Sequence, residues 1–492
     1  MDLSIYPISF FLSALALIAA SLFAWKHRRH GWGLPMLAVL GTVGAWYHGD
    51  ALYNDYEVYR LSIGDNAINA AWWQVLLFLI TFVFLVPPIH RAFNKRFLKK
   101  QSNLMIYTET SKIKHPSVQS QIDQLGKALL VAWIVLMVIA LYRMGFNFGS
   151  IFTPYLEGWK AKPWSRGRVG GGLSALLSLA SYVQIMLTAS FGVVAAISVN
   201  PRTRTMAIIV CFLAFPYYIF DRTRNPMIAT MLPGLLAWVF ISLKGGVWKK
   251  AVVLLVAFLM ANFWFAVVVD TNMGRGVTVG DALKEHKQQQ EQAADEVEMY
   301  GGGDGEQHKH QGLNMFSELC HMNDLLHQGL YSPTWGGRYF AEAANFIPRG
   351  LWKNKPLVGV DYALARGFAD DNATSSTSGG GITASIATGM IGQGVANFGR
   401  LFGPMAAALL MAIWVAILAR LDLHGDTARL LLCVIGLILT FNMGRDITLF
   451  VLYPFFFGYM LLLGWEWWRN KNTAMPTAKR RRRSAVPRQG RV

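Results

Sequence analysis

Cysteine is scarce in this chain, with three in 492 residues. Cys211 and Cys433 fall inside apolar runs and Cys320 stands alone in a long polar segment, so neither a disulfide framework nor a cysteine metal site can be assembled from them. Charge is scarce as well, at 15% of residues, and acid is the scarcer sign: 28 Asp and Glu against 46 Lys and Arg, a net charge of +18. Nucleotide-binding signatures are missing. The stretch Gly167-Arg168-Val169-Gly170-Gly171-Gly172 is glycine-rich, but it matches neither the Walker nor the dinucleotide pattern and reads as a flexible lead-in to a helix. A positively charged leader is missing too: Asp2 precedes an apolar run as long as a full membrane span, which argues against a cleaved signal peptide.

Long apolar runs take the place of these features. With 53% hydrophobic residues, the chain repeats stretches of the roughly 17 to 25 residues that cross a bilayer as helix. They are continuous, not alternating, which excludes a membrane β-barrel. The expectation is an all-α polytopic membrane protein of about eleven transmembrane helices, at 4–25, 32–47, 71–89, 128–142, 173–199, 206–220, 226–243, 251–269, 401–419, 428–443 and 447–467. In domain terms, 1–269 is an N-terminal bundle, 270–384 a large external loop (flexible over 280–312, structured over 313–384), 385–468 the C-terminal helices and 469–492 a basic tail.

Alternate connections are basic. The segment 90–127 carries eight Lys and Arg against two acids, and 26–30, 200–205, 244–250 and the tail are similar. By the positive-inside rule these face the cytoplasm, leaving the N-terminus outside, with the acidic connection 48–67 (Asp50, Asp55, Glu57, Asp65). The basic run 479–483 follows the last span and reads as a contact for anionic lipid headgroups, not for nucleic acid.

Against this background, a set of arginines sits on the wrong side. Arg143, Arg166, Arg168, Arg222, Arg224, Arg349, Arg366 and Arg445 all fall in external connections. The turn Asp221-Arg222-Thr223-Arg224-Asn225 and the pair Arg445-Asp446 are so tight that their charges stay near membrane depth, where an unpaired charge is costly. Guanidiniums so placed suit an anionic, phosphate-bearing ligand. In the external loop, Trp335, Tyr339, Phe340, Phe346, Trp352, Tyr362 and Phe368 alternate with Arg338, Arg349, Lys353, Lys355 and Arg366, a mixture that suits either a glycan or a packed lid. Glu318, His321 and Asp324 share a helical face but lack further ligands, so no metal or other cofactor is expected. His308, Lys309 and His310 read as solvated, Asn372-Ala373-Thr374 as a chance sequon, and Gly399 with Gly403 as a small-residue helix contact.

Three stretches carry a resemblance. Arg222-Thr223-Arg224-Asn225-Pro226 opens a span, Phe346-Ile347-Pro348-Arg349-Gly350-Leu351-Trp352-Lys353-Asn354-Lys355-Pro356 lies in the late external loop, and Ile391-Gly392-Gln393-Gly394-Val395-Ala396-Asn397-Phe398-Gly399 leads into a span. Together with the span order they resemble the bacterial oligosaccharide repeat unit polymerases, the O-antigen polymerase (Wzy) class; the 280–310 insertion departs from that pattern. The resemblance implies a GT-C-like plan in the bacterial inner membrane and a glycosyltransferase that joins undecaprenyl-pyrophosphate-linked repeat units into a surface polysaccharide on the periplasmic face. It implies a chain-length regulator and a flippase as partners. On that reading Arg222, Arg224 and Arg445 clamp the pyrophosphate. Arg166, Arg168, Arg349, Lys355, Arg366 and Asn397 hold substrate. The base is Asp446, Asp221, Glu342 or Asp361. An O-antigen ligase would share this architecture, and a flippase for the same lipid would instead require charged or interrupted spans.

Overall fold

The computed structural model describes residues 5–28, 30–54, 56–98, 116–143, 146, 180–219, 224–268, 314–344, 347, 351, 352, 354, 356, 359–367, 387–423, 427–445, 447 and 455–468. Among them there is helix and no strand. The helices are α1 (Ile8–Lys26), α2 (Gly33–Val43), α3 (Gly49–Tyr53), α4 (Tyr56–Ile63), α5 (Asp65–Leu98), α6 (Pro116–Arg143), α7 (Ala180–Ile197), α8 (Pro201–Ile219), α9 (Arg224–Ala237), α10 (Val247–Val268), α11 (Met315–His327), α12 (Gly337–Ala344), α13 (Val360–Ala365), α14 (Met390–Leu423), α15 (Thr427–Met443) and α16 (455–468). Each apolar stretch singled out above carries helix. Among the described residues, four segments are long and apolar enough to cross a membrane: Ile8–Lys26, Asp65–Lys95, Val118–Tyr142 and Met390–Leu421.

Helices α5 and α14 form the central pair, flanked by α1, α2 and α15, while α6 to α9 pack as a second group against α15. Exposure follows position: Leu15, Ile18 and Leu22 of α1 and Phe84 of α5 face outward, whereas Phe10 and Ala24 of α1 and Trp72, Phe78 and Phe82 of α5 are buried inside. Without a hydrophobic driving force between helices in lipid, close packing needs small residues. Gly192 and Gly234 supply it between α7 and α9, since a Cβ on Gly234 would lie 2.9 Å from the Gly192 backbone.

Two features depart from the sequence reading. The connection 48–67 is not an irregular acidic loop; α2 runs through a π-helical turn, Gly44–His48, into α3 and then α4. Such π turns shift side-chain register and are frequent at functional sites. The second departure concerns Gly399. Instead of packing on a neighbouring helix alongside Gly403, it breaks α14 at φ 76 and ψ −175, a conformation open to glycine and strained for other residues. The chain reverses there. The short arm 390–398 folds back on the long arm 400–423, and Gly394 lies against Gly403, with Ala407 beside it.

Contacts sort the connections into two ends. At one, Asn94 donates to the Ala416 carbonyl at 3.2 Å, Asn200 and Thr203 donate to Asp123, and Arg429 pairs with Glu466 at 2.7 Å. At the other lie the π turn, α3, α4, α11 to α13, the Gly399 break and the end of α15, tied together as described next.

Candidate functional site

The short arm of α14 starts where several elements meet. Gly389 takes φ 76, which leaves its α-carbon facing the Tyr47 hydroxyl; that hydroxyl accepts the Ile391 N–H at 2.9 Å. The Met390 N–H donates to the Gly444 carbonyl at 3.1 Å. Gln393, buried, accepts the Ile447 N–H at 3.0 Å through its side-chain oxygen. Trp46, one residue before Tyr47 in the π turn, donates its indole N–H to the Phe441 carbonyl at 2.7 Å. Arg445, half-buried, follows Gly444 immediately.

Arg224 lies toward the same end. Helix α9 continues through the π-helical turn Trp238–Ser242, where the Ser242 hydroxyl donates to the Ala196 carbonyl at the far end of α7. The start of α9 therefore lies toward the end where α15 finishes at Met443, and α9 packs along α15. Of the remaining expected site residues, Arg166, Arg168, Arg222, Arg349, Lys355 and Asp446 lie outside the described residues, as does Asp221.

The segment from α11 to α12 is fastened over this end by two caps borrowed from the bundle. The first four N–H groups of a helix have no partner within it. For α11 the partner comes from α3: the fully buried Asp50 accepts the Phe316 and Ser317 N–H groups at 2.7 and 3.1 Å, and its other oxygen accepts from Asn54 and from Tyr59 at 3.3 Å. Phe316 stacks on Trp72 with centroids 4.0 Å apart, and Gln74 and Asn323 exchange two side-chain hydrogen bonds of 2.8 Å. Arg400, the first residue of the long arm, donates to the Asn323 carbonyl at 2.7 Å.

For α12 the cap is Asn397. Its side-chain oxygen accepts the Arg338 and Tyr339 N–H groups at 3.1 and 3.3 Å, while its amide donates to the Gln393 carbonyl at 2.8 Å. Backbone bonds from Thr334 to Ala396 and from Trp335 to Asn397 add to the seam. Asn397, expected on sequence grounds to bind substrate, is thus fully buried and spends its carboxamide on holding α12. Asn397→Ala should cost about 1 to 2 kcal/mol, as loss of an N-cap does, and loosen α12 without unfolding the bundle. Proteolysis within 334–344 at unchanged melting temperature is the expected readout.

Between α11, α12 and α13 lies a mostly buried charged cluster. Glu318 accepts the Tyr362 hydroxyl at 2.6 Å and faces Arg366 at 3.5 Å; Asp361 accepts the Tyr331 hydroxyl at 2.6 Å and faces Arg338 at 3.9 Å. Arg366, another expected substrate ligand, is here ion-paired and largely covered, and Glu342 is half-buried on α12. His321 is pushed down to about 3 by burial and by Arg366. Among the described residues no group of three or more His, Cys, Asp or Glu is disposed to hold a metal. All three cysteines are free and buried.

Burial pushes Asp50 up to about 7, against the opposing pull of the hydrogen bonds it accepts. The docked state therefore holds a proton that the undocked state has released, so docking should be strongest below pH 4 and weaken as pH rises through 7. His321, depressed, acts in the opposite sense: its contribution is present above about 6.5 and is lost as pH falls toward 3. Comparing wild type with Asp50→Asn isolates the first term. The difference in lid protection, followed by hydrogen exchange in α11, should change with pH between 4 and 7 and be constant above it.

Remote from this end, α6, α7, α15 and α16 enclose an apolar cavity of about 300 Å³ lined by Leu129, Met186, Leu432 and Trp465 among others. Its one hydroxyl, on Ser190, is spent on the Met186 carbonyl, so it offers no chemistry.

The sequence pointed to the arginines but not to Asp50, Tyr47, Gln393 or Arg400. The legible signal was an amide in an apolar, glycine-flanked stretch, Gly392-Gln393-Gly394, since a buried carboxamide demands partners. No family model, curated protein or solved structure matches the chain.

Proposed function

We propose that this protein is a membrane glycosyltransferase that polymerises undecaprenyl-pyrophosphate-linked oligosaccharide repeat units into a surface polysaccharide. In this reading about eleven helices cross the bacterial inner membrane by length and hydropathy, with the N-terminus and the 270–384 segment periplasmic and the basic tail cytoplasmic. The observation that supports it is the meeting of the start of the α14 short arm with Gly444, the neighbour of Arg445, close to Met315 at the start of the Asp50-capped helix α11.

The chemistry follows from where the site would lie. Outside the cytoplasm no nucleotide sugar is at hand, so the donor must bring its leaving group with it, and a lipid pyrophosphate does so. As the bond from the anomeric carbon to the pyrophosphate oxygen breaks, negative charge grows on that oxygen. Guanidiniums held by helix ends stabilise that charge without rearranging. Arg222, Arg224 and Arg445 are the proposed clamp; Arg166, Arg168, Arg349 and Lys355 are proposed to hold the second lipid-linked unit. A carboxylate among Asp221, Asp446, Glu342 and Asp361 would take the acceptor hydroxyl proton. Of the two described, Asp361 accepts the Tyr331 hydroxyl and faces Arg338, and Glu342 is half-buried on α12.

The test is incubation of purified protein in nanodiscs with an undecaprenyl-pyrophosphate-linked repeat unit, with and without a chelator, followed by a gel of products. A ladder of lengths supports the proposal. A single transfer that appears when lipid A core is supplied would make it a ligase, and movement of unaltered substrate between leaflets a flippase. Arg224→Lys keeps charge but loses the planar fork, so turnover should fall about 10- to 100-fold, the worth of one charged hydrogen bond, at unchanged melting temperature. Wild-type turnover would remove Arg224 from the clamp.

A further inference from the structure

Helix α12 has its amphipathicity inverted. A short helix on a water-exposed segment buries its apolar residues and exposes its charges. Here Arg338 is 8% exposed, together with the small Ala341 and Ala344 on the inner face, while Phe340 on the outer face is 58% exposed. Two more large apolar side chains stand out beside it. Trp335 is 74% exposed and Leu351 83%, and Phe340 touches Trp352, the neighbour of Leu351, in an edge contact with centroids 6.0 Å apart.

Trp335 is also held in an unusual backbone conformation, φ 50, which bulky residues avoid. Its N–H donates to the Asn397 carbonyl at 2.7 Å and Gly336 follows at φ 89, so the turn is fixed from both sides. Strain of this kind persists where the surroundings over-determine it. The result is a tryptophan projecting from the seam that joins the external segment to the Gly399 break.

That seam sits at the head of a membrane-length helix. Pro333 packs on Gly399, and the first outward residues of the long arm, Leu401 and Phe402, are 60% and 59% exposed. The head of α14, with its exposed Leu401 and Phe402, is thus joined to the Trp335 turn through Pro333 and Gly399. Tryptophan and tyrosine favour this depth because an amphipathic ring is stable between hydrocarbon and headgroups, and a helix that turns aromatics outward and charge inward is stable lying in the same layer.

We propose that the outer face of α12, with Trp335, Phe340 and Leu351, is an interfacial anchor that lies in the headgroup layer of the outer leaflet, so that the external segment rests on the bilayer beside α14. The occupant of this surface is lipid. The anchor depends on α14 crossing the membrane and is independent of the transferase reading. Arg338, turned inward to Asp361 and the Tyr362 ring, keeps its charge out of the lipid.

Because Cys211, Cys320 and Cys433 are buried, a surface cysteine can be labelled selectively. Trp335→Cys, Phe340→Cys and Leu351→Cys, each carrying a nitroxide, would be measured in phosphatidylcholine and phosphatidylglycerol nanodiscs, with Gln328→Cys as reference. Collision with oxygen, which partitions into lipid, should exceed collision with a water-soluble nickel chelate at all three sites, relative to the reference, by several fold. Nickel-dominated collision at all three would overturn the anchor. Shielding of these sites by added soluble oligosaccharide, with no difference between nanodiscs and detergent, would also overturn it and make the patch a sugar platform. A fall in labelling-competent, monodisperse protein for Trp335→Cys leaves the other two sites to decide.

Discussion

Gly403→Ala should abolish folded protein. The added Cβ would sit closer than 3.0 Å to the backbone of both Gly394 and Val395, atoms that cannot rotate aside. Overpacking against side chains typically costs about 1 to 3 kcal/mol and occasionally more. Against backbone on the opposite arm, the two arms of α14 must part, and with them go the Tyr47, Gly444 and Gln393 contacts at the start of the short arm and the Asn397 cap. The control is Gly41→Ala. Gly41 lies in α2 with nothing within 4 Å of its would-be Cβ, so the same change there should be neutral or stabilise by about 0.5 to 1 kcal/mol. Fluorescence-detected gel filtration and melting in detergent separate the two: a monodisperse, wild-type-like Gly403→Ala would show that the arms are not packed at Gly394.

Asp50→Ala should release the segment from α11 to α12 while leaving the bundle intact. It strips acceptors from the Phe316 and Ser317 N–H groups and from Asn54 and Tyr59, all at a fully buried position. Each buried donor left unsatisfied costs about 1 to 3 kcal/mol, so the two helix amides alone put the loss at roughly 2 to 6 kcal/mol. That falls on α11, which is docked otherwise by Phe316 against Trp72 and by the Gln74 and Asn323 pair. Asp50→Asn keeps one acceptor oxygen and should cost less than half as much. Limited proteolysis between 314 and 344 and amide exchange in α11 read the effect directly. Equal protection in wild type and Asp50→Ala would mean that aromatic stacking, not the cap, holds the segment. On the proposed function the alanine variant should also lose polymerisation, because α11, whose Met315 lies against Gly389 at the start of the short arm, is released.

Both results bear on how much of the protein was legible in its residues. Helix content and position were, because runs such as 8–26 and 65–95 are long and apolar whatever they pack against.

Caps and the reversal in α14 were not. Asp50 in sequence is one of four acids in a polar connection, which reads as solvated; only its meeting with Phe316, 266 residues away, makes it a buried cap. Asn397 likewise gains its role from Arg338, 59 positions earlier. Gly399 in an apolar run is indistinguishable from a packing glycine until the two arms are seen side by side. The sequence by itself determined which segments are helical, because apolar length acts locally. Only the tertiary structure decided which polar groups are satisfied by which, because a buried donor takes whatever acceptor the packing brings to it, however distant along the chain.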